Sequence, residues 1–404
     1  MELIKGGVCA AKGFKASGVH CGIRKNKTKK DLALIVSDVQ ANAAAVYTSN
    51  LVKGAPIYVT KDNIANGKAK AVICNSGNAN TCNSNGVEIA RQMCNLVEES
   101  TGISADDVVV ASTGVIGQPL DITPIKNGMK ELVDSLCYEG SESAANAIMT
   151  TDTVLKEVSY KFDIDGKECH IGGIAKGSGM IHPNLATMLV FITTDTAISS
   201  QMLEKALKGD VADTFNMVSV DGDTSTNDMV CVLANGMAGN SEITADGKEF
   251  ESFKAALAAV NSYLCREIAK DGEGATKLLE CKVSGAKDKA TARVVAKSIV
   301  CSSLVKAAMF GADANWGRIL CAIGYSGADV DINKIDVSFS SEAGEIPVCH
   351  NGMGIDFSEE IAKEILLKDE IQVLVSLNDG EDFAVARGCD LTYDYVKING
   401  DYRT

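Results

Sequence analysis

"NLATMLVFITTD", residues 184–195, is the stretch on which the reading of the fold turns. Apolar side chains run from Met188 to Ile192, and Thr193, Thr194 and Asp195 close the run. Branched and aromatic residues in so short a run suit a buried strand over Met188 to Thr193. In front of the run stand Ala186 and Thr187, preceded by a His182-Pro183-Asn184 turn. A threonine beside apolar residues is most often a strand position, because its branched Cβ suits the pleat. Pattern alone therefore makes Thr187 the start of a strand and gives it no chemistry.

Further short strands are predicted upstream at "LALIVSD" (32–38), "AAVYTS" (44–49), "PIYVTK" (56–61), "AVICNS" (71–76) and "VVVAST" (108–113). Among them lies "SNGVEIARQMCNLVEES", whose Val87, Ile89, Met93, Leu96 and Val97 fall on one helix face. Other helices are expected at 125–137, 200–214, 252–270 and 358–368, the third closing on the glycines of "KDGEG". The segment 289–311 reads as a strand leading into a helix. No βαβ rhythm is kept, which points to an α+β fold of layered helices and stacked mixed sheets.

At 404 residues the chain exceeds the usual size of one core, so two domains or one two-lobed unit is expected. Its net charge of −14 disfavours nucleic acid and anionic membrane surfaces as partners. No stretch has the ~18 uncharged apolar residues of a membrane span. The amino terminus, "MELIKGGVCAAKGF", lacks the apolar core of a secretory signal. Fourteen cysteines are scattered without a CxxC pair, and most lie in apolar runs, so a reducing cytoplasm is the consistent location.

Each motif has a plain reading beside its chemical one. "VDGDTSTND" (220–228) resembles a calcium loop, but Thr226 stands where the loop needs Gly and Val232 where it needs Glu. A hydrogen-bonded turn is the better expectation. "GIAKGSGM" (173–180) lacks the Walker spacing, so Lys176 reads as a solvated lysine on a turn. His20, His170, His182 and His350 form no metal-binding spacing, and no GxSxG is present. His182 before a proline reads as a turn residue. "ASTGVIGQ" (111–118) is a strand exit that can expose a hydroxyl and N–H groups, or an ordinary turn.

In order along the chain, "NSGNAN" (75–80), "STGVIG" (112–117), "MTTDT" (149–153) and "AKGSGMIHPNLATMLVFITTD" (175–195) resemble the ornithine acetyltransferase family, also called glutamate N-acetyltransferase. The resemblance continues through "VDGDTSTND", "KDGEGATK" (270–277), "GADANWGRI" (311–319) and "VKINGDYRT" (396–404). It implies an N-terminal-nucleophile-like acyltransferase that cuts itself between Ala186 and Thr187. Chains 1–186 and 187–404 would stay associated, with two copies of each in the assembly. Thr187 would be the nucleophile, and Thr113 and Gly114 the oxyanion hole. Thr150, Lys176, Thr187, Glu273, Asn399 and Thr404 match the family's substrate-binding positions.

The implied reaction takes an acetyl group from N-acetylornithine onto Thr187 and passes it to glutamate, with no cofactor or metal. Some family members also accept acetyl-CoA, and no residue here decides that point. A freed α-amino group, reference pKa ~7.7–8.0, is a reasonable base for the adjoining hydroxyl. Lys176 is expected to meet a substrate carboxylate and Glu273 an ammonium group. Two rivals remain: a self-cleaving aminopeptidase of related architecture, which passes the acyl group to water, and a non-catalytic amino-acid-binding protein, whose chain stays uncut.

Overall fold

The computed structural model describes residues 1–182 and 188–400. In chain order the strands are β1 (Glu2–Ile4), β2 (Phe14–Val19), β3 (Leu32–Tyr47), β4 (Lys68–Asn78), β5 (Val108–Val115), β6 (Lys156–Ile164), β7 (Lys167–Lys176) and β8 (Leu189–Thr194). They continue as β9 (Val218–Ser219), β10 (Met229–Ala234), β11 (Leu278–Ala286), β12 (Asp336–Ser341), β13 (Gly344–His350), β14 (Met353–Gly354), β15 (Glu370–Ser376) and β16 (Asp382–Cys389).

Two compact units emerge. The first holds Met1–Gly177, Asn184–Ala212 and Thr224–Leu264; the second holds Ser178–Pro183, Asp213–Asp223 and Cys265–Thr404. This division does not follow the expected chains 1–186 and 187–404, because the first unit takes residues from both.

A mixed sheet of order β1-β6-β7-β8-β10-β3-β4-β5, with β2 beside β3, organises the first unit. Both faces are covered, so its strands carry apolar residues on successive positions. Val108 and Val110 of β5 join a core with Ile89, Met93 and Val97 of helix Gly86–Thr101. Val109 and Ala111 point the other way, to a core shared with Phe191 and Cys231. Val87 breaks the expected helix face, since it is exposed.

In the second unit the sheet order is β14-β13-β12-β15-β11-β16-β9. Helix Lys289–Cys301 covers it, burying Ala292, Val295, Ala296 and Ile299 at helical spacing.

The strand expected at 188–193 is β8, and 71–76 and 108–113 are β4 and β5. Segments 32–38 and 44–49 belong to one strand, β3, with a register shift between Val36 and Ala41. "PIYVTK" is a helix instead, Ala55–Asn63. Pro56 stands at its start, where the missing N–H costs nothing. Its Thr60 hydroxyl donates to the Val110 carbonyl of β5 at 2.7 Å, and the Asn63 amide to the Val108 carbonyl at 2.8 Å. Packing on β5 overrides the strand preference of its branched residues.

Segment 289–311 is two helices, Lys289–Cys301 and Ser303–Phe310, not a strand and a helix. Asp288 caps the first through Thr291 N–H, and Ser302 ends it and caps the second through Val305 N–H. Among the described residues no helix is long and apolar enough to cross a membrane.

Candidate active site

The segment leading into β10 reaches the end of β5 through one side chain. Asn227, two residues before β10, makes that junction and is buried. Its amide donates to the Ser112 carbonyl at 2.9 Å and to the Ala79 carbonyl at 2.6 Å. Its side-chain oxygen accepts from the Thr81 hydroxyl at 2.6 Å and the Thr226 hydroxyl at 2.5 Å. A buried amide with its donors and acceptor engaged holds one geometry.

The residue after Ser112 is Thr113, buried at the end of β5, and Gly114 follows at φ 132°. A Cβ at Gly114 would lie 2.4 Å from the Gly77 carbonyl carbon of β4. Only glycine permits that approach and that dihedral. Thr113 and Gly114 thus sit on an irregular stretch of β5, held against β4 and, through Ser112, against Asn227.

Lys176, the last residue of β7, stands on the same side of the unit. It pairs with Leu189 of β8, which pairs with Met229 of β10. Beneath it lies an ion pair in which both side chains are buried: Lys156 Nζ is 2.8 Å from Asp152 Oδ1. Asp152 also accepts from the Gly177 N–H at 2.7 Å and the Thr150 N–H at 2.9 Å. Burial alone would raise its carboxyl. The Lys156 and Lys176 cations and those hydrogen bonds override it and hold the group well below the usual carboxylate range. Asp152 thereby ties Thr150 to the chain leaving Lys176.

Asp228 is the opposite case. It is buried, and its Oδ2 has no hydrogen-bond partner among the described residues. Burial raises its acid well above the ordinary value, against the opposing effects of Ser225 and Lys176. Its carbonyl is fixed by the Thr48 N–H at 3.0 Å.

Glu273 and Asn399 belong to the second unit, and the structure brings them together: the Asn399 amide donates to Glu273 Oε2 at 2.8 Å. The Glu273 N–H donates to the Ser178 carbonyl at 2.9 Å. A Cβ at Gly179 would lie 2.3 Å from the Glu273 carboxylate. Asp390 accepts from Thr276 N–H and Lys277 N–H, and the Thr392 hydroxyl donates to the Gly274 carbonyl, fixing the rest of the loop. Asp221 accepts from Met180 N–H at 2.6 Å and Ile181 N–H at 2.9 Å. "VDGDTSTND" is thus a hydrogen-bonded turn, as expected, and also the source of Asn227 and Asp228.

His182 Nδ1 lies 3.1 Å from the Ser219 hydroxyl and 3.5 Å from Cys301 Sγ. Burial and the Lys297 cation lower its pKa, and burial lowers Lys297 itself to about 8.

Ala186, Thr187 and Thr404 lie outside the described residues. Sequence reading missed Asp152 with Lys156, Asn227 and Asp228. Asp152, Asn227 and Asp228 stand in the quoted motifs "MTTDT" and "VDGDTSTND", while Lys156 lies outside both.

The model of the ArgJ family matches residues 15–404. The chain is 52% identical, over all of both chains, to the arginine biosynthesis bifunctional protein ArgJ of Caldanaerobacter subterraneus subsp. tengcongensis. To the protein of the same name from Bacillus subtilis it is 48% identical, over 99% of this chain and 97% of that one. A crystal structure of arginine biosynthesis bifunctional protein ArgJ from Bacillus halodurans is 47% identical, with a TM-score of 0.50 over 52% of this chain and 97% of that chain.

Proposed function

We propose, from the premise that the chain belongs to the ArgJ family, that it is an acetyltransferase of arginine biosynthesis that moves an acetyl group from N-acetylornithine to glutamate. The observation that carries this reading is the near-50% identity, end to end, with relatives named for that pathway. The clamped turn at Thr113 and Gly114 supports it, because acyl transfer needs a preformed place for an oxyanion.

The precursor cuts itself at Ala186–Thr187, and Thr187 becomes the nucleophile with its own α-amino group as base. Thr187 Oγ attacks the acetyl carbon, and the hydroxyl and N–H of Thr113 and Gly114 receive the charge on the carbonyl oxygen. Ornithine leaves, an acetyl ester remains, and the amine of glutamate attacks it. Lys176 supplies a cation for a substrate carboxylate. Glu273, oriented by Asn399, supplies a carboxylate for a substrate ammonium. Thr150 and Thr404 complete the substrate contacts, and acetyl-CoA serves as a second donor, in keeping with "bifunctional" in the relatives' names.

Incubation with N-acetylornithine and glutamate tests the reaction. Formation of N-acetylglutamate is expected; release of free acetate alone would mean the hydrolytic rival. On a denaturing gel, the 42.4 kDa chain should give fragments of roughly 20 and 23 kDa, in proportion to length. Thr187→Ala should leave one full-length band and no turnover. A Thr187→Ala chain that is still cut, or still transfers acetyl groups, would sink the assignment.

A further inference from the structure

A run of cations stands out from this acidic chain. Residues 24–30, "RKNKTKK", hold five Arg and Lys and no carboxylate, in a protein of net charge −14. They belong to the loop of the hairpin between β2 and β3, which closes where the Asp31 N–H donates to the Val19 carbonyl at 2.9 Å. Lys25, Lys27 and Lys29 are exposed. Other exposed lysines meet carboxylates, as Lys205 meets Asp246 and Lys254 meets Glu251. Among the described residues Lys25, Lys27, Lys29 and Lys30 form no ion pair. The carboxylate at the foot of the loop, Asp31, is buried and accepts from the N–H groups of Cys21 at 2.6 Å, Gly22 at 3.2 Å and Arg24 at 3.0 Å. Like charges crowded on one loop repel, and a bound anion relieves that repulsion.

The same contacts fix where the loop stands. The Asp31 carbonyl accepts from the Ser76 N–H at 2.9 Å, one residue before Gly77 of β4. A Cβ at Gly77 would lie 2.9 Å from Arg24 Cγ, and one at Gly114 would lie 2.4 Å from the Gly77 carbonyl carbon. Arg24 and Gly114 therefore flank one glycine. The Arg24 guanidinium donates to the carbonyl of Met149, the residue before Thr150, and the Lys30 ammonium donates to the Ser143 hydroxyl. All of these residues belong to the first unit.

The ligand class follows from this placement. N-acetylornithine and glutamate carry their charges close to the reacting carbon or nitrogen, and neither carries more than two carboxylates. A row of exposed lysines beginning beside Gly77 fits several negative charges on a ligand whose charged part lies away from its acyl carbon. Five residues of extended chain reach at most about 18 Å, so the lysines can meet charge held well away from Gly114. Phosphates on a flexible arm meet that description. A nucleic acid does not, because its long backbone would also meet the acidic surface.

We propose that the loop 24–30 docks the phosphates of a coenzyme A thioester whose acetyl group lies at Thr113 and Gly114. This rests on the acetyl transfer, with acetyl-CoA as second donor, set out above. The lysine ammonium groups donate charge-assisted hydrogen bonds to phosphate oxygens. The loop supplies binding alone; it makes and breaks no covalent bond.

The test replaces Lys25→Gln, Lys27→Gln and Lys29→Gln together. KM for acetyl-CoA should rise about tenfold, the sum of three exposed charge pairs. KM for N-acetylornithine, which has no phosphate, should stay within about twofold of wild type, and so should KM for S-acetylpantetheine, which keeps the arm and lacks the phosphates. An unchanged KM for acetyl-CoA overturns the proposal. An equal rise for both thioesters also overturns it, since the loop would then act through its shape. A wild-type enzyme that uses N-acetylornithine but not acetyl-CoA overturns it and leaves transfer from N-acetylornithine intact. A wild-type chain that uses neither donor overturns both readings.

Should the triple variant fail to fold, labelling of the wild-type enzyme decides. An N-hydroxysuccinimide ester acylates exposed lysines, and mass spectrometry gives the rate at each. Added CoA should slow labelling of Lys25, Lys27 and Lys29 several-fold while leaving Lys254 unchanged. Equal labelling with and without CoA overturns the proposal.

Discussion

Asp152 shows how much a single buried side chain can organise. It holds Thr150 and the chain after Lys176 in one cradle and neutralises the buried Lys156. Its carboxyl is lower in the fold than in the unfolded chain, where the value is near 3.9. Such a group stabilises the fold above that unfolded value, and the contribution is lost as pH falls below it. Asp152→Asn should therefore cost about 3–5 kcal/mol at pH 7, because the buried Lys156 ammonium loses its counter-charge. The difference from wild type should shrink as pH drops from about 4 toward 2. Urea unfolding at pH 7 and in that acid range checks both; a gap that does not narrow would show the stabilisation to be uncharged. Thr113, Gly114, Lys176 and Glu273 are proposed because each sits in a recognisable motif. The cradle around Asp152 was not legible, because it depends on Lys156 and on the Gly177 N–H, which the fold brings to it.

Between elements, the decisive join is Asn227, which ties the entrance of β10 to the exit of β5. Asn227→Ala removes two N–H donors from buried carbonyls and an acceptor from the Thr81 and Thr226 hydroxyls. A loss of about 1–3 kcal/mol follows from leaving such groups unsatisfied. The turn at Thr113 and Gly114 also loses its clamp, so kcat should fall toward the ~10²–10³ cost of a missing oxyanion donor. Urea unfolding and steady-state kinetics of the folded variant check this, and an unchanged kcat would show the turn to be rigid without Asn227. The same scale explains where pattern reading went astray. Residues 56–61 and 289–301 are rich in branched side chains and read as strands, yet both are helices. Capping and the sheet beneath them outweigh the local preference, which spans only ~1 kcal/mol.

Across the molecule, the proposed cut falls between neighbouring strands of one sheet. β7 lies before it and β8 after it, and the two pair from Ile171–Thr194 to Lys176–Leu189. β10, also after it, pairs with β3 along six residues. Cutting the bond removes none of these pairings, so the two fragments should co-elute as one species in native gel filtration and part only in denaturant. Fragments that separate without denaturant would contradict this sheet. β8 would then stay paired on one side with β7 of the other fragment and on the other side with β10 of its own.

The sequence by itself determined the α+β class and the family, because hydrophobic period and short ordered motifs are local properties. Tertiary structure alone decided which strand-like runs became helices and how the segment before β10 is tied to β5. Those outcomes depend on contacts between segments as far apart as Ser112 and Asn227, which no local pattern encodes.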